Sequence, residues 1–140
     1  MPTTSGSAKW QGGIKDGKGA ISTKSGALKD YPYGFASRFE GQRGSNPEEL
    51  IAAAHAACYN MAFSNALAKA GHKPERLTTR AEVEFVPGTG ITTSTLTVRG
   101  RVSGISKDDF EKLAEEAKNG CPVSQALKGN VELKLHASLE

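Results

Sequence analysis

The period of the apolar positions changes several times along the chain, and each change marks an element. Near the start, Ser7-Ala8-Lys9-Trp10 and Gly19-Ala20-Ile21-Ser22-Thr23 read as short strands joined by a hairpin turn at Asp16-Gly17. Ser37-Arg38-Phe39-Glu40 reads as another short strand, or as the edge of a long loop holding Tyr31 to Phe35. From 46 to 70 the pattern turns helical. Asn46 can cap, Pro47 suits the first helical position, Glu48 and Glu49 favour the positive end of the dipole, and Gly71 stops the run. Nine alanines fall between 50 and 70, and small apolar residues cover nearly the whole circumference. That predicts a buried helix with something packed close against it.

A two-residue period follows. Leu77, Thr79, Ala81, Val83 and Phe85 alternate with Thr78, Arg80, Glu82 and Glu84; Pro87 to Gly90 turn the chain; Leu96, Val98, Gly100 and Val102 return. Acidic outer residues on the first of these strands and basic ones on the second are expected to pair across the sheet. Ser106 opens an amphipathic helix with Phe110, Leu113, Ala114 and Ala117 on one face. Cys121-Pro122 starts a short helix over 123–128, and Val131, Leu133, Leu135 and Ala137 alternate as a last strand. This order predicts an α+β fold, with antiparallel sheets around a long buried central helix. A helix with no polar face needs more cover than one small sheet supplies, so the pattern also predicts a homodimer that sets two copies of the helix together.

Composition narrows the class. A chain of 140 residues fits a single domain over 1–140, and 37% apolar residues with 24% charged ones suit a globular protein rather than a disordered or fibrous one. The net charge of +3, spread along the chain, is too mild for a nucleic-acid groove. The opening residues lack a basic region followed by an apolar stretch, so a secretory signal is not expected. The apolar stretch between Leu50 and Leu67 is broken by His55, Asn60, Ser64 and Asn65, which argues against a membrane span and for a cytoplasmic protein.

Two cysteines, Cys58 and Cys121, are too few for a disulfide scaffold. Cys121 stands where a helix begins, facing unpaired N–H groups, and by local sequence is the more acidic thiol. Cys58, a lone cysteine among alanines, reads by spacing alone first as a small buried hydrophobe. His55 lies one turn before Cys58. It reads as a hydrogen-bonded interior residue, or with both cysteines as a metal site that lacks a fourth ligand.

Two segments carry a resemblance. Tyr33-Gly34-Phe35-Ala36-Ser37-Arg38-Phe39-Glu40-Gly41 followed by Gly44 to Cys58, and Gly120-Cys121-Pro122-Val123-Ser124, resemble the OsmC/Ohr family of thiol peroxidases, closest to its OsmC branch. The resemblance implies a two-cysteine peroxidase with no metal or other cofactor, acting on organic hydroperoxides and reduced by a dithiol such as a lipoyl-protein thiol. It implies Cys58 as the peroxidatic thiolate and Cys121 as the resolving cysteine, with Arg38 holding the thiolate and Glu48 holding Arg38. It further implies an intertwined homodimer with active sites at the subunit interface. Phe39, Phe63 and Phe110 are candidates for an apolar surround that favours a greasy peroxide. A redox sensor or hydrophobic-ligand-binding protein on the same scaffold, without efficient turnover, is the alternative.

Helical geometry adds one expectation. Glu48 and Cys58 lie ten residues apart, which on a straight helix is ~15 Å and about 80° out of phase. Each site is therefore expected to join Cys58 and Cys121 of one subunit to Glu48 and Arg38 of the other.

Overall fold

The computed structural model describes residues 2–140, which gather into two compact units, one up to Leu50 and one from Ile51 to Glu140. In the first, β1 (Gly6–Gln11), β2 (Lys18–Thr23) and β3 (Tyr31–Tyr33) form an antiparallel sheet in sequence order. The hairpin loop is wider than the expected Asp16-Gly17 turn: Gly13 N–H donates to Asp16 Oδ1 at 3.0 Å, and Gly17 N–H to the Gly13 carbonyl at 2.8 Å. Gly19 lets the Trp10 and Tyr33 rings close over β2, since a Cβ there would run into both.

The segment after β3 departs from the expected strand or loop. Phe35–Phe39 is a short helix, α1. Ser37 decides it: its hydroxyl accepts the Gly34 N–H at 2.9 Å and donates to the Ser45 carbonyl at 2.8 Å, which folds the chain back on itself. Tyr31 to Tyr33, expected in a loop, is β3, because its partner β2 supplies the ladder. The long helix α2 then spans Pro47–Lys69. Asn46 caps it as expected, Oδ1 accepting the Glu49 N–H at 2.8 Å, while the Glu49 carboxylate accepts from Ser45 Oγ rather than closing a capping box.

In the second unit, β4 (Pro74–Val86) and β5 (Gly90–Val102) make the long hairpin. The amphipathic helix α3 (Lys107–Gly120) starts at Ser106, whose Oγ accepts the Asp109 N–H, and α4 (Pro122–Leu127) follows through Cys121. The last strand, β6 (Glu132–Leu139), lies beside β5 and runs parallel to it. The expectation of wholly antiparallel sheets is thus corrected. The α3–α4 pair is a crossover that carries the chain back to the end where β5 begins, and such a return makes a parallel neighbour. Cross-strand ion pairing is corrected as well. The register sets Glu82 and Glu84 opposite Thr95 and Thr93, and Arg99 opposite Thr78; Glu84 instead accepts from Thr92 Oγ1 at 2.8 Å.

The core of this unit is built from four-residue spacing against two-residue spacing. His55, Tyr59, Phe63 and Leu67 of α2 are buried at every fourth position, as are Ser94, Leu96, Val98 and Val102 of β5 at every second or fourth. Phe110, Ala114 and Ala117 of α3 complete it. Gly100 leaves room for the Phe110 ring, whose Cε2 lies 2.7 Å from where a Cβ would stand. The Tyr59 hydroxyl donates to the Ala114 carbonyl at 2.9 Å, so the aromatic stripe is polar-satisfied where it meets α3.

The expectation that α2 is buried all round does not hold within the chain. One sheet and one helix cover a single stripe; Ala53, Ala54, Ala57 and Met61 are exposed, Met61 at 77%. Among the described residues no helix is long and apolar enough to cross a membrane.

Candidate active site

The four residues expected to carry chemistry fall into two pairs. Arg38, on α1, meets Glu48, the second residue of α2. Its Nε donates to both carboxylate oxygens at 3.0 and 3.2 Å, and its Nη2 to Oε1 at 2.6 Å. This two-pronged arrangement fixes the plane of the guanidinium as well as its position. The two side chains are 33% and 12% exposed, so the pair can still present charge to a ligand. Phe39 packs against the same guanidinium, its ring centroid 5.2 Å from Cζ. Around Arg38 lies a cleft of about 230 Å³ lined by Trp10, Ile14, Tyr33, Phe35, Phe39 and Pro47. Aromatic walls beside one fixed cation suit an amphipathic molecule with a polar end.

Cys58 and Cys121 form the second pair. Both are free thiols, and they are in hydrogen-bond contact with each other. Cys121 is fully buried and Cys58 partly so. Cys58 also accepts the backbone N–H of Val123, in the first turn of α4. The structure keeps Cys121 at the start of the helix. Cys121 is the N-cap of α4, as expected, but its side chain makes no cap hydrogen bond; an unpaired N–H of that helix goes to Cys58 instead. The N-cap position gave Cys121 the helix end in sequence, whereas packing brings the sulfur of α2 to it.

Burial is the largest influence on the Cys58 thiol and raises its pKa above the ordinary value. The Val123 N–H lowers it, and Cys121, through both the shared hydrogen bond and its charge, raises it further. The net direction is upward. A second positive influence is therefore required if Cys58 is to react as thiolate at neutral pH. Beside Cys58 runs an open, mainly apolar groove of about 710 Å³ along α2, lined by Met61, Ala62, Ala66, Ala117 and Pro122.

His55 is an interior residue, in keeping with the first of its two readings. Nδ1 lies 2.7 Å from Ser94 Oγ and Nε2 lies 2.7 Å from Ser124 Oγ, and all three residues are buried. Both ring nitrogens are thus committed to hydroxyls, which overturns the reading of His55 as a ligand with the cysteines. Among the described residues no group of three or more His, Cys, Asp or Glu side chains is arranged to hold a metal ion.

The expectation for the aromatic residues needs division. Phe39 does line a cleft, but Phe63 and Phe110 are wholly buried, packed against each other at a tilt with centroids 5.1 Å apart, and belong to the core. Their helical positions alone could not distinguish a core face from a cleft wall. Sequence reasoning also missed Val123, whose contribution is a backbone N–H, and Trp10, Tyr33 and Phe35, whose convergence on Arg38 depends on β3 and α1.

Comparison with known proteins places the chain in a family. The model of the family described as OsmC-like protein matches residues 39–136. The chain is 49% identical to Peroxiredoxin OsmC of Escherichia coli over 131 residues, covering 91% of this chain and 92% of that one. It is 31% identical over 104 residues to the Organic hydroperoxide resistance protein-like 1 of Staphylococcus saprophyticus, covering 71% and 73%. Among solved structures, an organic hydroperoxide resistance protein OsmC from Legionella pneumophila superposes with a TM-score of 0.73 at 28% identity, covering 99% of this chain and 98% of that one. The chain belongs to the OsmC-like protein family.

Proposed function

We propose that the protein is a peroxide-detoxifying redox enzyme, a thiol-dependent peroxidase that reduces organic hydroperoxides to alcohols. The observation that carries this reading is the contact of two free thiols, one of them holding a helix N–H. Kinship with proteins named peroxiredoxin and organic hydroperoxide resistance protein supports it.

In the proposed cycle the Cys58 thiolate attacks the distal oxygen of the hydroperoxide. The S–O bond forms as the O–O bond breaks, and the alkoxide takes a proton and leaves as the alcohol. Cys58 is now a sulfenic acid. Cys121 attacks that sulfur as thiolate, the S–S bond forms, and the hydroxyl leaves as water. A dithiol reductant, a lipoyl thiol being one chemical candidate, reopens the disulfide by two exchanges and is itself oxidised to a disulfide.

The raised pKa of Cys58 supports a role for a nearby cation, and Arg38 is the candidate. A guanidinium stays protonated throughout the working pH range, favours the thiolate and polarises the peroxide oxygen. Glu48 holds its plane. The aromatic cleft beside Arg38 would take the organic group. Helical rise between Glu48 and Cys58 supports a homodimer in which each site takes its cysteines from one subunit and its Arg38–Glu48 pair from the other. The exposed alanines and Met61 of α2 are the apolar surface such a dimer would cover.

Steady turnover is the test. With dithiothreitol or dihydrolipoamide in excess, sustained consumption of cumene hydroperoxide at many equivalents per protein is expected. A single round of thiol oxidation without turnover would contradict the enzyme and indicate a sensor.

A further inference from the structure

His55 touches neither thiol, yet it joins the elements that carry them. It stands on α2 one turn before Cys58, and Ser124 stands on α4 three residues after Cys121. Their 2.7 Å hydrogen bond is fully buried, with His55 at 0% and Ser124 at 1% exposure. On its other side the ring is anchored to Ser94 of β5, also at 2.7 Å and 0% exposure. The ring thus lies between the sheet and α4 and reaches α4 through Ser124. That helix has only six residues, far too few to hold a position by its own helical propensity.

We propose that His55 is a positioning residue for disulfide closure: through Ser124 it holds α4 so that Cys121 stays within reach of Cys58 once Cys58 is oxidised. The inference rests on the peroxidase reading above.

The chemistry creates the need. Oxidation adds an oxygen to the Cys58 sulfur and changes the thiol–thiol contact, and it alters the acceptor that Val123 N–H now uses. The contacts of Cys58 with Cys121 and with the Val123 N–H both involve the atom that reacts. The His55–Ser124 bond does not, and it persists through the cycle. Closing a disulfide requires the sulfurs to come to about 2.05 Å with restricted dihedral geometry. A short helix free to shift would meet that condition less often, leaving the sulfenic acid open to a second peroxide and to sulfinic acid.

The two serines separate positioning from mere support. Ser124→Ala cuts the grip on α4, whereas Ser94→Ala removes a partner of the same ring without touching α4. Ser124→Thr keeps the hydroxyl. In single turnover with one equivalent of cumene hydroperoxide, attack is followed by dimedone capture at Cys58 and closure by the intact mass of the quenched, alkylated protein. Ser124→Ala is expected to close its disulfide about tenfold more slowly, the effect of one buried hydrogen bond, with attack changed less than threefold and more sulfinic acid at high peroxide. Ser124→Thr is expected to restore closure, and Ser94→Ala to close within about threefold of the parent. Equal closure rates in Ser124→Ala and the parent, or equal slowing in both alanine variants, would overturn the inference while leaving the peroxidase reading intact. Absence of any dimedone adduct at Cys58 in Cys121→Ser would overturn both.

Discussion

The backbone N–H of Val123 donates to the sulfur of Cys58, although Cys121 is the residue that caps the helix to which Val123 belongs. One short helix thereby serves two thiols: its cap supplies the second sulfur, and its first turn supplies a donor to the first. The donor alone does not offset burial and the neighbouring Cys121, since the Cys58 pKa stays above its ordinary value. The activity proposed here therefore depends on a cation brought to that sulfur.

Removal of Cys121 tests that balance. Cys121 raises the Cys58 pKa as hydrogen-bond partner and as charge. Cys121→Ala is thus expected to move the pH midpoint of Cys58 alkylation downward relative to wild type, read from iodoacetamide rates between pH 5 and 10. An upward shift would contradict the assigned direction.

Arg38→Met is expected to move the same midpoint upward and to lower the rate of peroxide attack by about 100-fold or more, the usual effect of losing a charge-stabilising donor. Glu48→Gln keeps the side chain's shape and loosens the guanidinium, so a smaller loss of about tenfold is expected. Both variants should unfold within about 1 kcal/mol of wild type, because the pair is partly exposed. Urea titration separates that outcome from a folding defect.

Mixed dimers test the crossed site. Cys58→Ser and Arg38→Met chains are each expected to be nearly inactive alone. Mixed and reassorted, they should regain activity, since a dimer of the two would hold one site with Cys58 and an intact Arg38 from the partner. No recovery in a verified heterodimer would place the four residues within one subunit.

Substrate preference should follow the aromatic cleft. Phe39→Ala opens a wall beside Arg38 and is expected to cut kcat/KM for cumene hydroperoxide by about tenfold, roughly the worth of partly burying an aromatic ring. Hydrogen peroxide, which has no organic group, should be affected much less. Equal losses on both would remove the cleft from substrate recognition.

Acid stability should report on His55. Burial holds its pKa below the ordinary value near 6.5, so the native state favours the neutral ring. As pH falls the unfolded chain binds the proton first. The contribution is complete above about pH 6.5 and is lost as pH drops through the lowered native pKa. Urea unfolding at pH 7.5 and 5.0 should show this loss in wild type and a flatter profile in His55→Gln.

Much of this architecture is written locally. The cap at Asn46, the alternation of β5 and the buried face of α3 each rest on neighbouring residues, and the structure keeps all three. The direction of β6 is different: alternation marks Leu133 and Leu135 as half-buried, but only the α3–α4 crossover decides which way they run beside β5. Ser37 organises α1 through a carbonyl eight residues away, and no periodicity betrays that. At the site, Cys58 and Cys121 stand out as the two cysteines of the chain, whereas Arg38 and Glu48 become candidates only through the family resemblance of the segment that holds them. The donor from Val123 was hidden because every residue but proline carries the same N–H.

The central claim is that Cys58 and Cys121 together turn one hydroperoxide into one alcohol and one disulfide. Its most direct measurement is titration of wild type, Cys58→Ser and Cys121→Ser with cumene hydroperoxide, counting free thiols and mapping adducts. Wild type should lose two thiols per peroxide consumed, Cys121→Ser should give a dimedone adduct at Cys58, and Cys58→Ser should stay unreacted. Peroxide consumption by Cys58→Ser at the wild-type rate, with oxidation at Cys121, would contradict the account.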